Sequence, residues 1–109
     1  MSDKPSFNQI MQMAQQMQKN IQQMQQDLSQ RRVVGVAGTG DIKVEVTMDG
    51  EHIIKGITAT DGAWKEGKEI TLDLIAAAAN DASKKVKLMM KDAMSELYKQ
   101  AGTPFDDKE

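Results

Sequence analysis

Apolar residues recur at alternating spacings of three and four along the first thirty residues of the chain. This 3.5-residue repeat is typical of a coiled-coil helix, and Ser6 with Gln9 three residues later forms a capping-box signature at its start. A helix over residues 6–30 would be about 37 Å long, more than a small domain covers. We therefore expect part of it to meet another helix or another subunit. The repeat comprises Phe7, Ile10, Ala14, Met17, Ile21, Met24 and Leu28.

The composition narrows the class of protein. With 109 residues the chain accommodates one small domain, and an aromatic content of only 4% leaves the core to Met, Ala, Ile and Val. The absence of cysteine excludes a disulfide framework and a thiolate site. The N-terminal residues do not resemble a secretory leader, and no apolar run reaches the length of about 18 residues that suggests a membrane span. We expect a cytoplasmic protein without a membrane partner.

Alternating patterning replaces the helical spacing in the middle of the chain. Residues 33–37 are a β-branched run, residues 42–48 alternate apolar and polar side chains, and a third strand is expected over about 51–59. Gly38-Thr39-Gly40 is a turn signal, and Asp49-Gly50 predicts a tight hairpin because glycine tolerates positive φ. Gly56 marks a bulge in the third strand. The sequence therefore predicts a three-stranded antiparallel meander.

A second long helical segment is predicted from about residue 70 to residue 100, because apolar residues again follow helical spacing. Gly102 and Pro104 are expected to end it, and its length leaves open whether it is continuous or bent near residues 80–83. The fold class is α+β. We expect a flexible N-terminus over 1–5, a single domain over 6–102 and a flexible acidic tail over 103–109.

Three features that could carry chemistry favour structural interpretations. Gly35-x-x-Gly38-x-Gly40 joins two strands instead of opening a helix, so a hairpin turn is favoured over a phosphate-binding loop. His52 has no sequence-adjacent nucleophile, and a solvated strand histidine is favoured over a catalyst. The aspartates lack the spacing of a calcium loop. We expect no enzymatic activity, no metal, no cofactor and no small-molecule substrate.

The charge pattern does not by itself indicate nucleic-acid binding. A net charge of -2 gives no domain-wide positive field. Lys84, Lys85, Lys87 and Lys91 form a basic cluster, which fits either a solvated helix face or a phosphate contact. The nearly uncharged glutamine-rich face of the first helix is open to the same two interpretations, since amides can hydrogen-bond phosphates or base edges.

Five short segments stand in a distinctive order and spacing. They are Ala14-Gln15-Gln16-Met17-Gln18, Gly35-x-x-Gly38-x-Gly40 leading to Ile42-Lys43-Val44, Asp49-Gly50, Leu74-Ile75-Ala76-Ala77-Ala78, and Asn80-Asp81-Ala82. Over about residues 10–94 the chain resembles the YbaB/EbfC family of bacterial nucleoid-associated proteins. The resemblance implies a homodimer in which two three-stranded sheets associate and long helices project as arms. It also implies non-enzymatic, weakly sequence-selective binding of double-stranded DNA by those arms, in the nucleoid.

Matching positions give the candidate site residues. The resemblance implies DNA contacts at Gln15, Gln16 and Lys19 in the first helix and at Lys84 and Lys85 in the second. Lys87 and Lys91 are added from the basic cluster, and Arg31 and Arg32 on charge alone. The dimer or core seam is expected at Ile10, Met17, Ile21, Met24 and Leu28. An alternative function is a dimeric protein-interaction adaptor with negligible DNA binding, whose Met- and Gln-rich helix meets another protein.

Overall fold

The computed structural model describes residues 6–100 and contains three helices and three strands in that range. Helix α1 spans Phe7–Gln30, strands β1, β2 and β3 span Arg32–Thr39, Ile42–Asp49 and Ile54–Ala59, α2 spans Asp61–Lys65 and α3 spans Lys68–Gln100. The predicted α+β fold is confirmed. The expectations for residues 1–5, for the tail 103–109 and for a helix end at Gly102 and Pro104 lie outside the described residues.

Helix α1 begins at the predicted capping box. The Ser6 hydroxyl accepts a hydrogen bond from the Gln9 N–H (3.2 Å), and the Gln9 side chain accepts one from the Ser6 N–H (2.9 Å). Two backbone donors that lack partners inside the helix are satisfied in this way. At the other end Arg31 adopts extended geometry, and its N–H donates to the Leu28 carbonyl. The chain passes directly from α1 into β1.

The three strands form one antiparallel sheet in the order β1-β2-β3. Gly40 and Asp41 connect β1 to β2, since Thr39 pairs with Ile42. Gly38 (φ 87°) and Gly40 (φ 60°) both occupy the left-handed region, which glycine enters without a steric penalty. Gly40 therefore lies in a hairpin turn, as predicted, with Gly38 near the end of β1 beside it, whereas Gly35 lies within the strand.

The second hairpin exists as predicted, but the prediction of a tight Asp49-Gly50 turn is wrong. Four residues separate β2 from β3, and the positive φ falls on His52 (64°). The Asp49 side chain organises the loop, because its Oδ1 accepts hydrogen bonds from the N–H groups of Glu51 (2.8 Å) and Ile53 (3.1 Å). Gly50 is needed for packing instead, since a Cβ there would overlap the Leu28 carbonyl.

Helix α3 covers only part of the sheet. It packs mainly on β1 and β2, where Val44 and Val46 of the sheet meet Ala78, Ala82 and Val86 of the helix in a buried core. Strand β3 carries the predicted irregularity beside Gly56, and every residue from Ile54 to Thr58 is exposed. The β3 edge of the sheet is thus left largely uncovered.

The contact between α3 and β1 is unusually close because small residues face each other. Gly35 is buried, and a Cβ built on it would overlap the Ala78 carbonyl, the Ala82 N–H nitrogen and the Ala82 methyl. Backbone therefore lies directly against backbone at this point. The helix is not interrupted at residues 80–83, so α3 runs continuously over the sheet and beyond it.

Helices α1 and α3 run side by side beyond the sheet. Leu28 of α1 contacts the sheet at Gly50, and Lys85 of α3 contacts it at Val34, so the two helices leave the sheet as an antiparallel pair. A groove between them is lined by residues from Asn20 to Arg31 on α1 and from Lys85 to Gln100 on α3. We call this pair the helical extension. It gives the molecule an elongated shape of 75 × 27 × 17 Å.

Across residues 6–100, none of the helices combines the length and the apolar character that a bilayer crossing requires.

Replacing Gly35 with alanine tests the close contact. The added Cβ has no space between β1 and α3, so Gly35→Ala should lower the free energy of unfolding by about 3 kcal/mol, the upper range for overpacking. Urea denaturation followed by circular dichroism measures this. Gly56→Ala is the matched control, because a Cβ on that strand glycine meets nothing within 4 Å. Equal stability of the two variants would show that the contact does not constrain the fold.

Candidate nucleic-acid interface

Three of the four clustered lysines lie on one exposed face of α3. Lys84, Lys87 and Lys91 follow spacings of three and four, and all three are exposed. The face opposite carries the buried Ala82 and Val86. Residues 84 and 91 are separated by about 10 Å of helix axis. We call these residues the α3 lysine stripe, a row of cations on a surface that nothing in the sheet covers.

Lys85 has a different environment from the rest of the cluster. Its Nζ donates a hydrogen bond to the Val34 carbonyl oxygen (2.8 Å) and lies 3.1 Å from Oδ2 of Asp81. The same Asp81 oxygen accepts a hydrogen bond from the Val36 N–H (2.9 Å). Asp81 and Lys85 thus bridge α3 to the outer edge of β1. The sequence analysis did not identify this pair; its spacing of four residues is the signal that could have found it, but no local pattern shows its attachment to a strand.

Two carboxyl groups have lowered pKa values for similar reasons. The Val36 N–H, followed by the Lys85 side chain, holds the pKa of Asp81 below its usual range. The Ile53 N–H has the largest effect in lowering the pKa of Asp49; burial opposes it, and the Glu51 N–H and Lys55 add to the lowering, so that the pKa lies below its usual value. Hydrogen bonds to the charged form favour that form.

The candidates on α1 are all exposed. Gln15 and Lys19 are four residues apart and share a helix face, turned away from the apolar repeat. Gln16, three residues before Lys19, lies beside this pair and donates its amide N–H to Asn20 Oδ1 (3.0 Å). Arg31 and Arg32 lie where α1 passes into β1. The cationic candidates therefore occupy both helices and the base of the helical extension.

The residues expected to form the seam of α1 become more buried toward the C-terminal end of the helix. Leu28 is buried, Met17, Ile21 and Met24 are half-buried, and Ile10 remains 50% exposed. The groove between α1 and α3 begins at Asn20, so the first three turns of α1 extend past the described end of α3. Within the described chain, the repeat has a helical partner only over its second half.

Acidic side chains line the groove of the helical extension. Asp27 of α1 and Asp92 and Glu96 of α3 line it together with Arg31 and Lys85. Mixed charge of this kind does not favour a polyanion. The outward α3 lysine stripe, not the groove, is the part of the extension suited to phosphate groups.

The histidine and the possible metal ligands considered in the sequence are not part of the α3 lysine stripe. His52 is exposed in the loop between β2 and β3. In the portion of the chain that the structure describes, no group of three or more His, Cys, Asp or Glu side chains is arranged to hold a metal ion.

Residues 3–101 match the sequence profile of the YbaB/EbfC DNA-binding family. The chain belongs to this family. The match spans nearly the whole chain and agrees with the resemblance drawn from its short segments.

A solved structure supports the same fold. The crystal structure of the uncharacterized protein HP0035 from Helicobacter pylori is similar with a TM-score of 0.69 and 21% sequence identity. The similarity covers 86% of this chain and 98% of that chain. The arrangement of a long first helix, a three-stranded sheet and a long last helix is therefore shared with a protein of low sequence identity.

The lowered pKa of Asp81 predicts how stability depends on pH. A carboxyl whose folded pKa lies below its unfolded value stabilises fully above the ordinary aspartate pKa of about 3.9, and this contribution is lost as the pH falls through the folded pKa. Asp81→Asn should lower the melting temperature at pH 7 and approach the wild type at about pH 2.

Thermal unfolding between pH 7 and pH 2 measures this difference. Asp73→Asn, an exposed aspartate on the same helix, is the control. Asp49 contributes a pH dependence of the same sign in every variant, so only the difference from wild type is diagnostic. A constant difference across the range would contradict an ionised Asp81 as the stabilising species.

Proposed function

We propose that this member of a DNA-binding family is a homodimeric nucleoid-associated protein that holds double-stranded DNA through its helical extensions. The α3 lysine stripe carries the proposal, since it places Lys84, Lys87 and Lys91 on one exposed helix face. Lysine ammonium groups attract phosphates without reading bases. Binding is therefore non-enzymatic and weakly selective for sequence, and it takes place in the cytoplasm, on the nucleoid.

The uncovered strand β3 supports the dimer. Ile57 pairs with Val46, and Ile54 pairs with Met48, so both isoleucines face the side of the sheet on which α3 packs. They are nevertheless 47% and 44% exposed, because α3 covers mainly β1 and β2. A second copy of the chain that packs on this strip buries it in both subunits at once. The two helical extensions then act as paired arms.

The remaining candidates add cations and amides at other places on the helical extension. Lys19 with Gln15 adds one cation and one amide on α1, and Arg31 with Arg32 adds cations at the base of the arm. Lys85 contributes less than the stripe, because its ammonium group is already bound to Asp81 and Val34.

Salt dependence tests the role of the α3 lysine stripe. A dimer presents six stripe lysines, and if half neutralise phosphates the slope of log affinity against log salt is about −3. Lys84→Gln with Lys87→Gln removes four of these six lysines from the dimer. It should weaken binding to all duplexes alike and reduce the magnitude of the slope by about 2, since half of the removed lysines contact phosphates. Mobility-shift titrations at several salt concentrations measure both quantities.

The matched control removes the same charge elsewhere. Lys65→Gln with Lys68→Gln changes two exposed lysines, one at the end of α2 and one at the start of α3, and should leave the slope close to that of the wild type. Equal losses in both double variants would show that overall charge, and not the stripe, attracts DNA.

Sedimentation equilibrium tests the dimer. The wild type should weigh twice the chain mass of 12.0 kDa at low micromolar concentration, whereas Ile57→Asp should shift the mass toward a folded monomer, because a buried unpaired charge is strongly unfavourable. Leu88→Asp is the control, since Leu88 is 57% exposed and lies on α3 beside the groove. A wild-type monomer would refute the dimer.

A protein-interaction adaptor is the second candidate, and the exposed end of α1 favours it. Phe7, Ile10 and Met13 are 74%, 50% and 64% exposed, and residues 7–18 carry no charged side chain. Such a surface fits another protein better than a phosphate backbone. The mobility-shift titration separates the two functions, because the absence of any shift at high micromolar protein would favour the adaptor.

A further inference from the structure

The rest of the chain covers backbone groups at one edge of the sheet and leaves the other edge exposed. Strand β3 forms one edge and is exposed along most of its length. Strand β1 forms the other edge, where Asp81 and Lys85 of α3 reach its outward-facing backbone groups. An unprotected edge is a template for pairing with another chain. The difference therefore determines where strands of a second molecule can be added.

The hydrogen-bond pattern of β1 shows which groups the side chains occupy. In an antiparallel ladder, alternate residues direct both backbone groups toward the neighbouring strand and the others direct them outward. Asp81 accepts from the Val36 N–H at 2.9 Å, and Lys85 donates to the Val34 carbonyl at 2.8 Å. An incoming strand needs this donor and this acceptor. Both are already bonded, at two successive outward positions in the middle of the strand.

Charge makes the two bonds mutually dependent. Lys85 Nζ lies 3.1 Å from the Asp81 oxygen that accepts from Val36. The carboxylate and the ammonium therefore hold each other in position, one turn apart on α3, while each takes one backbone partner. Hydrogen bonds that involve an ionised group are about twice as strong as neutral ones. Replacing them with the neutral backbone bonds of an added strand is unfavourable.

Asp81 and Lys85 can bond the backbone of β1 because α3 packs closely on that strand. Because Gly35 lies between Val34 and Val36 and packs against Ala78 and Ala82, the helix backbone is near enough for the short Asp81 side chain to bond the strand. Gly35, which has no side chain, thus allows the charged groups of Asp81 and Lys85 to lie at the strand edge.

We infer that Asp81 and Lys85 form an edge guard that prevents a second copy of this chain from adding a strand to β1, and so restricts strand addition to the β3 edge. The guard limits assembly to a closed particle. Without it, each molecule presents two free edges, and copies can add end to end without limit. The inference concerns assembly and holds whether or not the α3 lysine stripe binds DNA.

The test removes both groups and follows mass against concentration. Asp81→Ala with Lys85→Ala should give a weight-average mass that rises at least twofold above that of the wild type and keeps rising with concentration, measured by light scattering after size exclusion. Asp73→Ala with Lys68→Ala removes the same charges from exposed positions of α3 and should keep the wild-type mass.

A rescue variant separates guarding from simple stabilisation. Val34 is 42% exposed, and lysine on an edge strand opposes pairing. Adding Val34→Lys to the double variant should therefore return the mass to the wild-type value without restoring the lost melting temperature. If the double variant melts earlier but keeps the wild-type mass at all concentrations, Asp81 and Lys85 only stabilise the chain and the inference is overturned.

A milder variant covers the case in which the double variant does not fold. Lys85→Met frees the Val34 carbonyl and leaves Asp81 without the ammonium group that holds its carboxylate beside the Val36 N–H. It should remain folded and show a smaller rise in mass with concentration, together with at least tenfold faster hydrogen exchange of the Val36 N–H. Unchanged mass and exchange in this variant would also overturn the inference. The mass of the wild type alone shows whether the protein is a dimer. That result does not depend on how the Asp81 and Lys85 variants behave.

Discussion

The direct contact between the backbones of β1 and α3 determines much of the rest of the molecule. Gly35, Ala78 and Ala82 allow it because none of them has a side chain larger than a methyl group. With the helix seated there, its apolar side covers β1 and β2, and β3 remains exposed. This contact also fixes the rotation of α3 about its own axis. As a result, one side of the helix faces the edge of β1 and another side faces solvent.

The functional surface follows from this rotation. Four lysines that are close in sequence are divided between two environments, since Lys85 faces the β1 edge while Lys84, Lys87 and Lys91 face solvent. Lys85 helps to cover the sheet edge, and the other three lysines are exposed and form an outward cationic row. An acidic chain can therefore present a local positive surface without a positive net charge. The proposal that this surface binds DNA rests on it together with membership of a DNA-binding family.

Local patterns were sufficient to predict the elements but not their contacts. The heptad spacing and the capping box gave α1, and alternation at residues 42–48 gave β2, because both signals depend on neighbours a few residues apart. The Asp49-Gly50 turn was misassigned because the Asp49 side chain bonds two N–H groups of a longer loop, and because Gly50 is required by distant Leu28. The first cause is a local side-chain interaction that the Asp-Gly pattern does not reveal, and the second depends on tertiary structure.

The candidate site was predictable to a similar extent. Helical spacing identifies the lysine cluster, and the family resemblance identifies the arms on which it lies. The separate role of Lys85 depends on how deeply α3 sits on Gly35, which is a distance between segments about 45 residues apart in sequence. A single sequence contains no local pattern for such a distance. The uncovered face of β3 is hidden from sequence for the same reason, because its isoleucines look like core residues.

Helix α3 is also rigid along its length, so that a small change in its orientation on the sheet is amplified at its far end. Its 33 residues contain neither glycine nor proline, so it has no built-in hinge between the sheet and its far end. Roughly 20 Å of helix lies beyond Val86, and a tilt of about 5° at the seat moves the end by about 2 Å, from the rise of 1.5 Å per residue. Substitutions in the core of the sheet can therefore change the span between two arms while leaving every lysine in place. In the proposed dimer, the contact at Gly35, Ala78 and Ala82 therefore sets the width of DNA that the two arms accommodate, far from any phosphate.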